Sequence, residues 1–222
     1  MDSSFLEAYQ RERPIVLIDD KSENVDYPTV GAANVDGALQ ATRYLLALGH
    51  RRIGFITGDR RLSAASERID GYCQALRDAH VPVDPALIVE GDFLQSGGYR
   101  AALAMLALPD PPTAIFASND EEAFGVMDAV RQSGLRVPED ISLVGFDDVP
   151  AAARVRPSLT TVHQPLTRMG KAAAEMLLNL LDGRPLTNKL VLLTAPLIVR
   201  ESCSPPASRR AAWAEEAAQE RR

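Results

Sequence analysis

The sequence predicts an α/β protein in which parallel sheets are flanked by helices. Short β-branched runs alternate with amphipathic stretches of helical length, which is typical of strand-helix-strand connections. Three stretches, at residues 52–59, 114–120 and 141–148, each end in polar residues where a helix is about to begin. At 222 residues, the chain is long enough for one large domain or for two small lobes.

The first fifty residues contain two short strands followed by a clear helix. Strands are predicted at 15–18 and 29–33, and Phe5 to Arg11 has the pattern of a helix end. Apolar residues at helical spacing predict a helix over 35–48, which Gly49 ends because glycine adopts the left-handed conformation easily. Few strands precede this helix, and we infer that the chain begins part-way into a domain.

The central part of the chain continues the alternation of strands and helices. Strands are predicted from Ile53 and over 87–90, with helices over 66–79 and 97–108. Asn119 is followed three residues later by Glu122, a capping-box variant that predicts a helix over 120–132. Gly134 then closes that helix.

From Val149 onward the pattern changes. Three prolines bracket an extended segment at 159–163, and a long helix follows at 166–181. Strands at 190–193 and 197–199 end the predicted folded part. Residues 203–222 are rich in Pro, Ala, Glu and Arg, and we expect a mobile tail with a frayed helix around Trp213.

Composition excludes several classes of protein. The net charge is -6, which argues against a nucleic-acid surface within this chain, because phosphate binding needs clustered Lys and Arg. Cys73 and Cys203 are far apart and lack metal-ligand spacing, so neither a disulfide nor a metal site is expected. The start of the chain has no export signal, and no apolar run approaches a membrane span, so we expect a cytoplasmic protein without membrane contact.

Polar residues at the strand ends are the first candidates for a binding site, because the carboxyl ends of parallel strands border a ligand crevice. Asn119 offers a donor and an acceptor at a helix start; the alternative is a plain N-cap. Asp147 follows an apolar strand and can accept from two hydroxyls, unless it only forms a turn. Arg68 lies near the start of the predicted helix at 66–79, and its guanidinium can fork to hydroxyls or a carboxylate there; the alternative is a solvated surface residue.

Five runs of residues, in this order and spacing, resemble the effector-binding core of LacI/GalR-type transcriptional regulators. They are YLLALGHRRI at 44–53, ERIDGY at 67–72, SND at 118–120, GLRVPEDISLVGFDD at 134–148 and PSLTTVHQP at 157–165. The likeness covers about residues 14–202. It implies a two-lobed, periplasmic-binding-protein-like (type I) fold, here with an incomplete first lobe, and a ligand bound between the lobes.

The resemblance also implies a division of the chain and a set of partners. Residues 1–50 and 164–188 would form the partial first lobe, and 51–163 and 189–202 the second. Complete regulators of this type carry a helix-turn-helix headpiece that is absent from this sequence, so operator DNA would be bound only through that missing part. Effector binding would close the lobes of a homodimer and change the headpiece geometry.

Three more candidate site residues come from the same resemblance. Asp19 matches a first-lobe acceptor, Phe93 an aromatic wall against which a ring stacks, and Gln164 a position on a lobe crossing. Phe93 could equally be an ordinary core residue, and Gln164 could merely pair hinge backbone. Leu166 stands where some relatives carry an aromatic residue, which argues against a full stacking sandwich.

Asn119 with Asp147 favours a neutral, sugar-like effector over a purine base, and an anionic effector would call for more cations than Arg68. The alternative to a transcriptional regulator is a transport-type periplasmic sugar-binding protein, which would bind its ligand in the same kind of cleft. An enzyme is not expected. Asp19 and Asp147 could form the carboxylate pair of a glycosidase, yet the same two residues can bind hydroxyl groups without catalysing a reaction. The catalytic and nucleotide-binding motifs G-x-S-x-G, H-E-x-x-H, P-loop and G-x-G-x-x-G are missing, so no cofactor is expected.

Overall fold

The computed structural model describes residues 13–19 and 27–207, and these residues form two parallel-dominated sheets flanked by helices. The predicted helices near Phe5 and Trp213 lie outside the described residues. The smaller sheet has three parallel strands in the order β1, β2, β8. These strands are β1 (Leu17–Ile18), β2 (Thr29–Ala32) and β8 (Leu190–Leu193).

The larger sheet has six strands in the order β4, β3, β5, β6, β7, β9. All neighbours in it are parallel except β7 and β9, which pair antiparallel. The strands are β3 (Ile53–Thr57), β4 (Ile88–Glu90), β5 (Ala114–Ala117), β6 (Ser142–Asp147), β7 (Thr160–His163) and β9 (Leu197–Ile198).

Four helices cover the two faces of the larger sheet. Helices α1 (Asn34–Leu48) and α2 (Ser63–Asp78) pack on one face, and α3 (Gln95–Leu106) and α4 (Asp120–Gln132) pack on the other. Successive strand residues point to opposite faces. Phe116 therefore joins the core under α1 and α2, whereas Ile115 joins the core under α3 and α4. Helix α5 (Leu166–Leu181) packs against the smaller sheet.

Local chemistry explains where these helices begin and end. Gly49 has a φ of 102°, and its backbone N–H bonds the Leu45 and Leu46 carbonyls, which ends α1 as the sequence predicts. Asn119 Oδ1 accepts from the Glu122 N–H at 2.9 Å, which confirms the predicted N-cap of α4. The reciprocal half of the predicted capping box is not formed, because the Glu122 carboxyl group accepts from the Asp92 and Phe93 N–H groups instead. The start of α2 was misjudged: the helix begins at Ser63 and not at Ser66.

The prediction that residues 1–50 belong to the first lobe is wrong for α1. This helix packs against α2 and the larger sheet, with Ala38, Ala41 and Leu45 in the same core as Phe146. Gly37 lies directly against Val162 and Phe146, and an added Cβ would fall 2.8 Å from the Val162 side chain. The chain therefore crosses to the larger sheet directly after β2, at Ala33, because the apolar stripe of α1 is complementary to that sheet.

The prediction that residues 189–202 belong to the second lobe is wrong for β8. This strand adds to the smaller sheet by parallel pairing with β2, with Thr29 opposite Leu190 and Ala32 opposite Leu193. Only β9, which follows it, joins the larger sheet. The chain thus crosses between the sheets three times, after β2, after β7 and after β8.

The predicted tail begins too early. Cys203 and Ser204 are tied to β6, since the Cys203 thiol lies 3.1 Å from the Leu143 carbonyl and the Ser204 N–H donates to Ser142 Oγ at 3.0 Å. The buried His50 ring also lies 2.9 Å from the Ser204 carbonyl oxygen. The rest of the predicted tail, residues 208–222, lies outside the described residues. Among the described helices, none has the length and apolar character needed to cross a bilayer.

Candidate ligand-binding site

A cavity of about 400 Å³ lies between the two sheets and is bordered by all six residues that the sequence singled out. Strand ends and helix starts deliver their side chains from both sheets. The six are Asp19, Arg68, Phe93, Asn119, Asp147 and Gln164. The volume falls in the range of small-molecule sites.

Arg68 is the buried cation of this cavity. It lies in the second turn of α2 and is only 3% exposed. Its Nη1 donates to the Ser118 carbonyl oxygen at 2.6 Å, and its guanidinium carbon lies 3.7 Å from the centre of the Phe146 ring. Its Nε donates to Asn34 Oδ1 at 3.0 Å. The surface alternative for Arg68 is therefore wrong: α1, α2, β5 and β6 hold this side chain in one orientation.

Asp147 ends β6 beside Arg68, with Oδ1 3.7 Å from the guanidinium Nη1. That separation is an ion pair without a direct hydrogen bond, so the carboxylate keeps its acceptor capacity. Its backbone φ of 106° is in the left-handed half of φ space, which is unusual for a residue with a side chain. Burial raises the pKa of Asp147 to about 6, and the neighbouring Arg68 partly opposes that rise.

Asp19 and Gln164 connect the two sheets at the edge of the cavity. Asp19 follows β1 of the smaller sheet, and its Oδ2 accepts from Gln164 Nε2 at 2.8 Å. Gln164 follows β7 of the larger sheet, and its backbone N–H donates to the Asp147 carbonyl at 3.2 Å. This pair of residues therefore joins the end of one sheet to the end of the other.

Asn119 and Phe93 form the wall contributed by α4 and the loop after β4. Asn119 caps α4 with Oδ1 and donates from Nδ2 to the Phe93 carbonyl oxygen at 3.0 Å. The Phe93 ring lies on Gly58, where a Cβ would fall 1.9 Å from the ring. Asn119 is thus an N-cap as well as a cavity residue, and one N–H of its amide remains for another acceptor.

Four further residues border the cavity outside the six candidates: Ile18, Leu62, Ser63 and Ala64. Three of them come from the start of α2 and the residue before it. Leu62 and Ala64 were not predicted as site residues, because the helix was expected to begin at residue 66 and begins three residues earlier, at Ser63. Ile18 carried no signal beyond its position before Asp19.

This arrangement defines a class of protein: a two-lobed α/β binding core with its cavity between the lobes. A family model described as "Periplasmic binding protein-like domain" matches residues 42–203. The HTH-type transcriptional repressor CytR of Escherichia coli (strain K12) is 37% identical over 189 residues. The match covers 85% of this chain and 55% of CytR, so the chain spans about half the length of this curated relative.

Solved structures agree with the sequence comparison. A LacI family transcriptional regulator from Mycobacterium smegmatis matches with a TM-score of 0.85 and 33% identity, over 93% of this chain and 76% of that one. A LacI family regulator from Enterococcus faecium with bound ribose matches with a TM-score of 0.82 and 27% identity, over 92% and 76%. The chain belongs to the LacI family of transcriptional regulators, as the motif resemblance indicated.

Proposed function

We propose that this chain is the effector-sensing core of a LacI-type transcriptional regulator and that it binds a neutral sugar between its lobes. The observation that carries the proposal is the convergence of Asp19, Asp147, Asn119 and Arg68 on one cavity beside the Phe93 ring. In a homodimer of the whole regulator, effector binding would then alter the affinity for operator DNA.

The chemistry of the cavity suits hydroxyl groups. A sugar presents neighbouring hydroxyls, each of which donates one hydrogen bond and accepts others. The carboxylates of Asp19 and Asp147 accept, whereas the Arg68 guanidinium and the Asn119 amide donate. The aromatic ring of Phe93 supplies the apolar surface on which the C–H face of a sugar ring packs. The relative with bound ribose supports the same class of ligand.

The charge balance disfavours an anionic effector. Among the residues that border the cavity, two carboxylates, Asp19 and Asp147, face one guanidinium, that of Arg68. The guanidinium already donates to the Ser118 carbonyl and to Asn34. A phosphate or carboxylate ligand would meet net negative charge, which costs binding free energy in a partly buried site. A neutral polyol meets no such repulsion.

Binding at this place also suits a conformational signal. The cavity is bordered by Asp19 from the smaller sheet and by Asp147 from the larger one. A ligand that bonds both carboxylates favours the closed arrangement of the lobes. It shifts the equilibrium only by the difference between its affinities for the closed and open forms.

Isothermal titration calorimetry against a panel of neutral sugars, including D-ribose, tests the proposal. Matched sugar phosphates and purine bases serve as the alternative ligand classes. We expect at least one neutral sugar to bind. We also expect Asp147→Ala and Asn119→Ala to weaken it by about tenfold to a hundredfold, because each removes hydrogen bonds to the ligand.

Asp148→Asn is the matched control, because the Asp148 carboxylate bonds His163 and Arg200 and does not border the cavity. This variant should bind with the affinity of the unmodified chain. Unchanged affinity in both Asp147→Ala and Asn119→Ala would contradict the site assignment. Binding of a purine base or a sugar phosphate, with no neutral sugar bound, would contradict the ligand class.

A further inference from the structure

Glu122 is a buried carboxyl group that the candidate site does not use directly. It lies in the first turn of α4 and is fully buried, at 0% exposure. Its neighbours Ala123 and Val126 are core residues, so an apolar side chain would satisfy the helical pattern at this position. Burying a carboxyl group is costly unless hydrogen bonds compensate. The partners of Glu122 therefore indicate what it does.

Those partners lie in the loop that carries Phe93. Glu122 Oε1 accepts from the backbone N–H of Asp92 at 3.0 Å and from that of Phe93 at 2.9 Å. Its second oxygen, Oε2, has no hydrogen-bond partner among the described residues. The carboxyl group thus directs its contacts to two consecutive peptide groups after β4.

Phe93 needs such support because its backbone is in an unfavourable conformation. Its φ is 62°, in the left-handed region that side chains with a Cβ rarely adopt. The Phe93 carbonyl is held separately, by Asn119 Nδ2 at 3.0 Å. The N–H and the C=O of this residue are therefore bonded by side chains at the start of α4. With them bonded, the ring lies on Gly58 and borders the cavity.

We propose that Glu122 is a positioning residue of this site: with Asn119 it forms a clamp on residues 92–93 that makes the Phe93 ring a fixed wall of the cavity. The inference deepens the proposed function and rests on it as far as the ligand is concerned. Glu122 does not border the cavity, so it acts on a ligand through Phe93. A preorganised ring binds a flat ligand face better than a mobile one, because less conformational freedom is lost on binding.

The clamp can be tested without any ligand, by amide hydrogen exchange measured by NMR on the whole chain. Glu122→Gln keeps an acceptor oxygen for both N–H groups, whereas Glu122→Leu and Glu122→Met remove it at similar size. We expect the Asp92 and Phe93 amides to exchange about tenfold faster or more in the Leu and Met variants, and to stay protected in the Gln variant.

Two controls separate a local effect from general loosening. The Ala123 amide, which bonds the Asn119 carbonyl, should keep its protection in every variant. Glu121→Leu removes an exposed carboxylate from the same helical turn and should leave residues 92 and 93 protected. If Glu122→Leu and Glu122→Met both left the Asp92 and Phe93 amides as slow as in the unmodified chain, the clamp would be disproved.

A double-mutant cycle then tests the route through Phe93, with D-ribose as the first probe and the tightest sugar of the panel as the second. We expect Glu122→Leu to weaken binding about tenfold in the unmodified chain, and to have little effect in a Phe93→Ala background. Equal losses in both backgrounds would refute action through the ring. If the unmodified chain bound none of the sugars, the proposed function would fail, while the amide measurement would still decide the role of Glu122.

Discussion

Asp147 combines features that are separately unfavourable. Its carboxyl is partly buried, its backbone φ is 106°, and the guanidinium of Arg68 is 3.7 Å away without donating to it. Such combinations occur where the surrounding structure over-determines a residue, and they are frequent at ligand sites. Here strand β6 and the Gln164 N–H, which donates to the Asp147 carbonyl, hold the backbone in place. The carboxylate is left facing the cavity.

The raised pKa of Asp147 predicts a pH dependence of ligand binding. The ionised carboxylate accepts from two hydroxyls, whereas the protonated form must donate one bond. With a pKa of about 6, the carboxylate is mostly ionised at pH 7.5 and mostly protonated at pH 5. We therefore expect sugar affinity, measured by calorimetry, to fall as the pH is lowered, by up to about tenfold between pH 6 and pH 5.

Asp147→Asn is the matched variant for this pH series. It should bind more weakly at pH 7.5 and should lose most of the pH dependence, because the amide does not titrate. The same steep pH dependence in Asp147→Asn would assign it to another group. A flat profile in the unmodified chain would show that the ionised form is not required.

At the level of elements, α3 and α4 approach each other closely through glycine. A Cβ added to Gly125 of α4 would lie 2.0 Å from the Gln95 carbonyl oxygen of α3. Backbone is therefore in contact with backbone, and no side chain can move aside to make room. This close packing matters for the site, because α4 carries both Asn119 and Glu122 at its start.

We expect Gly125→Ala to lower the free energy of unfolding by about 1–3 kcal/mol, because the helices must separate to admit the methyl group. Gly170→Ala is the matched control: Gly170 lies in α5, and a Cβ there meets nothing within 4 Å. That variant should be neutral or more stable by about 0.5–1 kcal/mol, through the higher helix propensity of alanine. Urea denaturation measures both, and an undisturbed Gly125→Ala would contradict the close approach.

At the level of the whole molecule, several buried carboxyl groups link stability to pH. Burial raises the pKa of Asp120 and of Glu122 to about 7, and that of Asp147 to about 6. In the unfolded chain these groups titrate near their ordinary values, at about pH 4. Between about pH 4 and pH 7 the folded state thus binds more protons than the unfolded state. The free energy of unfolding must therefore fall as the pH rises through this window.

We expect urea denaturation to show higher stability at pH 5 than at pH 8, by roughly 1–4 kcal/mol. Glu122→Gln should reduce this difference, because it removes one titrating group while keeping the acceptor for Asp92 and Phe93. Stability that increased from pH 5 to pH 8 would contradict the raised pKa values.

The candidate site was predictable in part, for reasons that differ between residues. Asn119 and Asp147 lie at the ends of strands of a parallel sheet, and strand ends of that kind meet at one edge. Arg68 was expected from its charge near a helix start, and Phe93 from the family resemblance. Neither the burial of Arg68 against Phe146 nor the left-handed backbone of Phe93 was predicted. Glu122 was visible only as a capping residue, because its hydrogen bonds reach across to a loop about thirty residues earlier in the chain.

What the sequence determined by itself is local. Neighbouring residues have spacings and backbone preferences that act without the rest of the fold. They determine the α/β class, the motif order, the end of α1 at Gly49 and the cap of α4 at Asn119. Only the tertiary structure decided that α1 covers the larger sheet and that β8 joins the smaller one. An apolar helix face must be buried, and a strand edge must be paired. Which element buries the face or pairs with the edge is decided by the packing of the whole chain.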